Sequence, residues 1–489
     1  MTTKIISPVK GTGIKVPLNF TLENPEVPIF DSSYPQPEPT YGSDADVREL
    51  TIQLVSGLKI DLRGYVEVIF VTESMFNMKI HGYIFLKDNV GALEKFEIRG
   101  GEKIGMKVYK PETEDILIWR EDFIVNKIGK HEVNPMTGYS NYQLAFTSSS
   151  FIRSAKKAIF KSYKNIPLIS AVRDLYTQIS PNDLMFEDPQ ITLTNPYICT
   201  GISPHRAIDA LAQRSSKGSK FFVFFERFVP VTGKYTDGKA FAGSHYFGSV
   251  ESLINPTTPR AVPIITFGPK LNANLETGAT IRASDFIRET NFNQIESLIL
   301  GLNKTSFTYL DLKNRTTTRS KISYSDSNFF TDVTDDLYDT PFIDTNNPFN
   351  LKEENEYGNR KVTTLNSFGN KEKKDWLPYN IFGMLTKNFY KVSVLVQGAT
   401  NSISAGDVVE LKVTSFFEKM LDPSTNPPLD QFHSGKYYVT GVTHVIKQDQ
   451  YQKTVELSRG SSPKTFSTSQ DIITRINEVN PNIAKLFIR

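Results

Sequence analysis

Apolar and polar side chains alternate from Glu49 onward: Leu50, Ile52 and Leu54 form one run, Tyr65, Val66, Val68 and Phe70 a second, and Ile80, Tyr83 and Phe85 a third. A period of two puts alternate side chains on one face of a strand. Gly57, Gly64 and the Lys87-Asp88-Asn89 turn separate these runs, and further strands are predicted at 95–99, 103–110, 116–129 and 140–148. Together they predict a compact antiparallel barrel or sandwich.

After Ser150 the period lengthens to that of a helix. Ile169, Val172, Leu175, Tyr176 and Ile179 mark one apolar face, which Pro181 closes. Ser203-Pro204, a capping serine before a proline at the first helical position, opens a second helix with Ile208, Leu211 and Ala212 on one face. Phe221 to Phe228 then reads as a buried strand, so the pattern predicts an α/β domain inserted after the first barrel. Ile152, Ala155, Ile159 and Phe160 fall at helical spacing, and the basic cluster among them, Arg153, Lys156, Lys157, Lys161 and Lys164, reads as the solvated face of that helix. β character returns at Val262–Phe267, continues through a hairpin of Thr305–Leu312 with Arg319–Tyr324, and resumes over 380–462; Ile472, Ile473, Ile476 and Val479 predict a terminal helix.

The late β segment rewrites the early one. Gly101-Glu102-Lys103-Ile104-Gly105-Met106-Lys107-Val108 aligns with Gly406-Asp407-Val408-Val409-Glu410-Leu411-Lys412-Val413. Downstream, Phe123-Ile124-Val125-Asn126-Lys127-Ile128 matches Tyr437-Tyr438-Val439-Thr440-Gly441-Val442, and Leu144 and Phe146 match Val455 and Leu457. Two distant copies predict two similar domains in one chain, whereas a solenoid would repeat at a fixed short period. Gly101 and Gly406 read as positive-φ turn positions.

Composition narrows the function. In 489 residues, 56 Lys and Arg stand against 53 Asp and Glu, a net charge of +3, with none of the basic surplus that gripping a phosphate backbone requires. The apolar run Phe221–Phe225 stops at Glu226-Arg227, far short of the roughly 20 residues of a membrane span, so no membrane insertion is expected. The start of the chain carries no apolar export segment. One cysteine, Cys199, excludes an intrachain disulfide and a cysteine-based zinc cluster. Pro8, Pro17, Pro25, Pro28, Pro35, Pro37 and Pro39 make residues 1–45 an extended arm, and Asp332, Asp335, Asp336, Glu353, Glu354 and the Lys371–Lys374 run make 326–379 a polar insertion.

Candidate chemistry is sparse. His81, His131, His205, His245, His433 and His444 show no metal-ligand spacing and read as packing or surface residues. Gly11-Thr12-Gly13 lacks the rest of a phosphate loop. No local motif selects a pair of carboxylates for glycoside hydrolysis. No catalytic, cofactor-binding or metal residue is assigned, and the chain is expected not to be an enzyme.

One stretch resembles a known family. Ser203-Pro204-His205-Arg206-Ala207-Ile208-Asp209-Ala210-Leu211-Ala212-Gln213-Arg214, then Phe221-Phe222-Val223-Phe224-Phe225-Glu226, then His245-Tyr246-Phe247-Gly248-Ser249-Val250-Glu251-Ser252-Leu253-Ile254, is similar to the middle domain of baseplate hub proteins of contractile-tailed bacteriophages. The Gly-Glu-x-Ile before Val108 and the segment Gly435–His444 fit the flanking barrels. The resemblance also extends to the hub part of type VI secretion spikes.

It implies a mainly β fold: a first tube-like barrel at 46–150, an inserted α/β domain at 151–256, and a second barrel from 257–325 and 380–462, beside the arm at 1–45, the insertion loop at 326–379 and the helix at 463–489. The implied protein is a structural virion component of the tail baseplate, assembled in the host cytoplasm. It would be a homotrimer joining a sixfold tail tube to a threefold central spike and letting DNA pass without binding it. Implied partners are the spike, the tube or tube-initiator protein, baseplate wedge proteins and the tape measure protein. A tail-associated cell-wall hydrolase and the hub of a type VI secretion-like machine are the alternatives.

Overall fold

The computed structural model describes residues 45–88, 95–96, 98–109, 116–134, 139–180, 184–217, 220–228, 244–254, 262–268, 280–289, 304–312, 314–323, 360–365, 367–368, 371–372, 377, 380–381, 390–397, 403–414, 429–430, 433–447 and 450–459. The arm expected at 1–45 lies outside these residues apart from Ala45. So do the terminal helix at 463–489 and most of the insertion at 326–379.

The first barrel uses β1 (Asp46–Gln53), β2 (Lys59–Asp61), β3 (Val66–Ser74), β4 (His81–Asp88), β5 (Lys103–Tyr109), β6 (Ile116–Asn134) and β7 (Tyr139–Ser148). Their order is β2-β1-β5-β6-β7-β4-β3, antiparallel at every pairing. The alternation read from the sequence turns Leu50, Ile52, Ile69, Val71, Ile84, Ile104, Met106 and Val108 into one core. The strand expected at 95–99 does not form; Phe96 and Ile98 pack against that core from outside the sheet.

The inserted domain contains α1 (Ser149–Ala155), β8 (Ile159–Tyr163), α2 (Leu168–Thr177), β9 (Leu184–Phe186), β10 (Tyr197–Ile202), α3 (Pro204–Ala212), β11 (Ser216–Lys217), β12 (Lys220–Arg227), β13 (Ser244–Ser249) and α4 (Val250–Ile254). α2 and α3 bury the predicted faces against Phe222, Phe224 and Phe247. Pro204 occupies the start of α3, but the capping hydroxyl comes from another helix: Ser154 Oγ accepts the His205 N–H at 3.0 Å, while Ser203 makes no side-chain cap. The helix expected to run through Phe160 ends at Ala155, and the chain enters β8, where the period of two buries Ile159 and leaves Phe160 80% exposed. The basic cluster is therefore broken up: Arg153 lies in the helix, Lys156 and Lys157 in the turn after it, Lys161 in β8, where it pairs with Asp174 at 2.7 Å, and Lys164 beyond the strand.

The rest of the chain supplies β14 (Ile264–Phe267), β15 (Thr280–Glu289), β16 (Lys304–Asp311), β17 (Thr316–Ser323), β18 (Arg360–Leu365), the short β19 (Ser367–Phe368) and β20 (Lys371–Glu372), β21 (Tyr390–Gln397), β22 (Val408–Val413), β23 (Gly435–Lys447) and β24 (Gln450–Arg459). β14, β15, β21, β24, β23 and β22 close into a six-stranded ring. β14 runs parallel to both neighbours, unlike its counterpart β1. The predicted hairpin forms as β16 and β17, but with β18 it makes a separate sheet whose Phe307 and Tyr309 join the second barrel's core.

Among the described residues only the second unit closes: β14 pairs with β15, whereas their counterparts β1 and β3, at the ends of the first unit's order, do not pair. The two units nonetheless share one plan. Omitting the short β2, the first has the order β1-β5-β6-β7-β4-β3 and the second β14-β22-β23-β24-β21-β15, each set taken in the same chain sequence. At the positions of the sequence repeat the facing residues match, although the first unit also slips between Ile104 and Met106, between Val108 and Tyr109, and between Ile128 and His131, where the second does not. Lys103 faces Ile124 and Ile104 faces Phe123, as Val408 faces Tyr438 and Val409 faces Tyr437. Val125 faces Phe146 and Ile128 faces Leu144, as Val439 faces Leu457 and Val442 faces Val455. The register slips between Val125 and Lys127 in one copy and between Val439 and Gly441 in the other; it slips again between Val66 and Val68, and between Ala283 and Asp285. Bulges are specific local features, and these two recur at corresponding places in the two units.

A single sheet runs through both. β23 is 13 residues long; its first part pairs with β22, and Gly441–Lys447 pairs with Ser74–Val68 of β3 in the first barrel.

Candidate functional site: the junction of three domains

β12 reaches the seam between the barrels. Its apolar run is buried on both faces; it ends in Glu226 and Arg227, Phe228 follows, and each of the three is fixed by a different part of the chain. Glu226 Oε1 accepts from Arg120 Nη2 of β6 at 2.9 Å, and Oε2 accepts the Ile80 N–H at 3.2 Å, so this carboxylate belongs to the first barrel's surroundings. Arg227 Nη2 donates to Asp407 Oδ1 of the second barrel at 2.9 Å. The Phe228 N–H donates to Glu73 Oε2 of β3 at 2.7 Å. Glu73 Oε1 in turn accepts from the Ser404 hydroxyl at 2.7 Å and the Ala405 N–H at 3.0 Å, which binds the first barrel to the turn that opens β22.

Placing charge inside a protein costs several kcal/mol per ion unless pairs and hydrogen bonds offset it. Here the offset is reciprocal. Arg120 is held between Asp122 and Glu226, which keeps its guanidinium above the ordinary arginine value although burial pulls the other way. Burial raises Asp122, but the Arg120 charge and its hydrogen bond outweigh that and hold the carboxyl low. Burial raises Glu73 despite Arg227 and its three donors. Both oxygens of Glu73 and of Glu226 are occupied by donors from the fold itself. The arrangement is suited to locking domains in place.

Aromatic packing completes the junction. Phe228 stands edge-on to Phe123 at 6.3 Å and to His444 at 5.2 Å, one from each barrel. His444 Nδ1 lies 2.6 Å from the Tyr451 hydroxyl, and burial lowers its pKa well below the ordinary value. Lys453, opposite His444 in the ladder, is pushed down to about 8 by burial. On the inserted-domain side His205 packs among Phe151, Phe224 and His245, and burial lowers it to about 3.

Of the histidines considered from the sequence, His205 and His245 pack against each other and the others lie apart on separate strands and turns. His205, His245 and His444 are buried, His81 lies on β4, and His433 bonds Asp430 at 2.6 Å. His131 lies on β6. Cys199 is buried in the core of the inserted domain. Among the described residues no group of three or more His, Cys, Asp or Glu is placed to hold a metal ion, and no helix is long and apolar enough to cross a membrane. Glu226 and Arg227 were visible in the sequence only as the end of an apolar run. Their signal was the abrupt charge pair closing a strand otherwise built for burial.

These features define a class: a mainly β protein in which two barrels of one strand order are fused through a continuous sheet, with an α/β domain keyed into the seam. No family model and no curated protein sequence matches the chain. Solved structures similar to it include tail proteins, one of them from a prophage, and a component of the type VI secretion system. A tail protein from Neisseria meningitidis MC58 has a TM-score of 0.48 at 9% identity, covering 84% of this chain and 96% of that one. The 43 kDa tail protein of prophage MuSo2 from Shewanella oneidensis has a TM-score of 0.48 at 8% identity, covering 84% and 98%. An E. coli component of the type VI secretion system has a TM-score of 0.40 at 8% identity, covering 86% and 79%.

Proposed function

We propose that this chain is a structural subunit of a phage tail, the central hub of its baseplate, working as a trimer between a sixfold tail tube and a threefold spike. The observation that carries this reading is the pair of barrels with one strand order, joined edge to edge in a single sheet. Three such chains present six similar barrels to a sixfold partner, while three α/β domains, one per chain, present a threefold surface. The resemblance of residues 203–254 to the middle domain of hub proteins supports the same reading. The buried ion pairs of Glu226 and Arg227 have a mechanical role in it, holding both barrels and the inserted domain at fixed angles under load.

The chain performs no covalent step in this account. A net charge of +3 suits a passage that DNA crosses without being retained, since many phosphate contacts would slow a polyanion. The remaining partners would be the tube or tube-initiator protein, wedge proteins and the tape measure protein, and the location the virion tail.

The test uses the purified full chain with its tube and spike proteins. Charge reversal at exposed barrel positions, Lys103→Glu or Lys436→Glu, is expected to weaken tube nucleation and spare spike binding. Loss of both in a protein that is still trimeric would contradict the two-faced adaptor, and peptidoglycan cleavage abolished by a single carboxylate substitution would favour the hydrolase.

A further inference from the structure

The joint between the barrels is asymmetric: the first barrel contributes an edge of β3 and the second contributes the far half of β23. Each barrel also carries the counterpart of what the other used. β6 corresponds to β23, and among the described residues its backbone pairs beyond Val125 only with β7. β15 corresponds to β3, and among the described residues it pairs beyond Arg282 only with β21. Among the described residues one chain therefore has a filled joint in its middle and the two complementary halves of that joint on its outer strands.

We infer that the far half of β6 in one chain pairs antiparallel with β15 of a second copy, reproducing between chains the β3–β23 joint within the chain. This rests on the trimeric reading above and gives it a contact. An open edge offers a row of backbone donors and acceptors that templates another strand, and a head-to-tail contact of this kind closes into a ring when its rotation permits. Six equal steps, three within chains and three between them, make that ring from three copies.

The matched ladders fix the register. β6 slips once more, between Ile128 and His131, where β23 runs on without a slip; past it His131 pairs with Tyr142 as His444 pairs with Lys453, the corresponding partner, so His131–Asn134 stand where His444–Lys447 stand. Val68 and Val71 pair with Phe85 and Gly82, as Asp285 and Arg288 pair with Leu395 and Val392, so Asp285–Arg288 stand where Val68–Val71 stand. Since His444 faces Val71 and Lys447 faces Val68, the joint between chains sets His131 opposite Arg288, Glu132 opposite Ile287, Val133 opposite Phe286 and Asn134 opposite Asp285.

Two cysteine-pair variants of the full chain test this, Glu132→Cys with Ile287→Cys and Val133→Cys with Phe286→Cys. Adjacent pairs alternate between wide and narrow spacing, so one of the two falls at the closer separation, and both spacings lie within disulfide range. A control combines Glu132→Cys with Thr318→Cys, on the separate three-stranded sheet. Mass in solution is measured first, then covalent species after oxidation. Trimeric mass with most of the chain moving into covalent dimers and trimers for at least one test pair, and not for the control, is the expected result. Trimeric mass with neither pair linking overturns the joint and leaves the hub reading standing. A monomeric mass overturns the hub reading itself.

Discussion

Gly101 and Gly406 hold the same backbone conformation and make the same hydrogen bond. Their φ angles are 96° and 88°, and each N–H donates to a valine carbonyl of the next strand, Val125 at 2.7 Å and Val439 at 2.8 Å. The return bonds match as well: the Val125 N–H reaches the Glu102 carbonyl at 2.9 Å, and the Val439 N–H reaches the Asp407 carbonyl at 2.8 Å. The acid after each glycine accepts from the N–H three residues before it, Arg99 to Glu102 at 2.8 Å and Ser404 to Asp407 at 2.9 Å. A glycine–acid pair is thus a compact instruction for opening a barrel strand.

The two turns differ in what surrounds them. A Cβ on Gly101 meets nothing within 4 Å, whereas one on Gly406 would lie 3.1 Å from Leu253 Cδ1 and 3.2 Å from Phe225 Cζ. Gly101→Ala is expected to cost about 1–2 kcal/mol from backbone strain alone. Gly406→Ala is expected to cost at least about 1 kcal/mol more, because the inserted domain must also shift. Urea denaturation of both variants checks the order, and equal losses would refute the asymmetry.

At the junction, Glu226→Ala leaves the Arg120 charge buried with Asp122 alone and strips the Ile80 N–H of its acceptor. Breaking one side of a buried pair costs about 3–5 kcal/mol, whereas replacing both partners by apolar groups is often close to neutral. Arg120→Met combined with Glu226→Leu should therefore recover most of the loss. Denaturation followed by tryptophan fluorescence reads this directly, since Trp119 neighbours Arg120; a double variant as unstable as the single one would contradict the account.

Acid should weaken the fold through its buried histidines. Burial lowers His205 from 6.5 to about 3 and His444 well below 6.5, so as pH falls below 6.5 the unfolded chain takes up protons that the folded chain refuses. Stability is full above that value and lost progressively below it, by about 1.4 kcal/mol per pH unit for each such group. Glu73, raised by burial, works in the opposite sense, since the folded chain takes up its proton at a higher pH than the unfolded chain does, and it partly offsets the loss. His205→Phe should flatten the decline between pH 6.5 and 5.5; an unchanged slope would show that His205 is not one of the groups responsible.

Phe160 shows where the sequence misled. It fits a helical face with Ile152 and Ala155, yet a turn after α1 resets the period and turns the ring outward. Periodicity over a few residues cannot register such a reset. The barrels were legible because alternation and the glycine–acid turns are local signals, and the copies agreed down to the facing residues. The junction was not, because Glu73, Arg120, Glu226 and Asp407 meet only after the strands have paired, and no local spacing links them. The parallel course of β14 was likewise hidden, since strand direction depends on the connection and not on side-chain pattern. Phe160→Ser should change stability by less than about 0.5 kcal/mol.

The central claim is that three chains with two barrels each build one ring, and single-particle electron microscopy of the purified full chain addresses it most directly. Class averages of a hollow particle with threefold symmetry, six similar lobes around the opening and three additional domains on one side are the expected result. A particle holding a single pair of barrels, or a closed assembly in which the barrels do not share a ring, would contradict it.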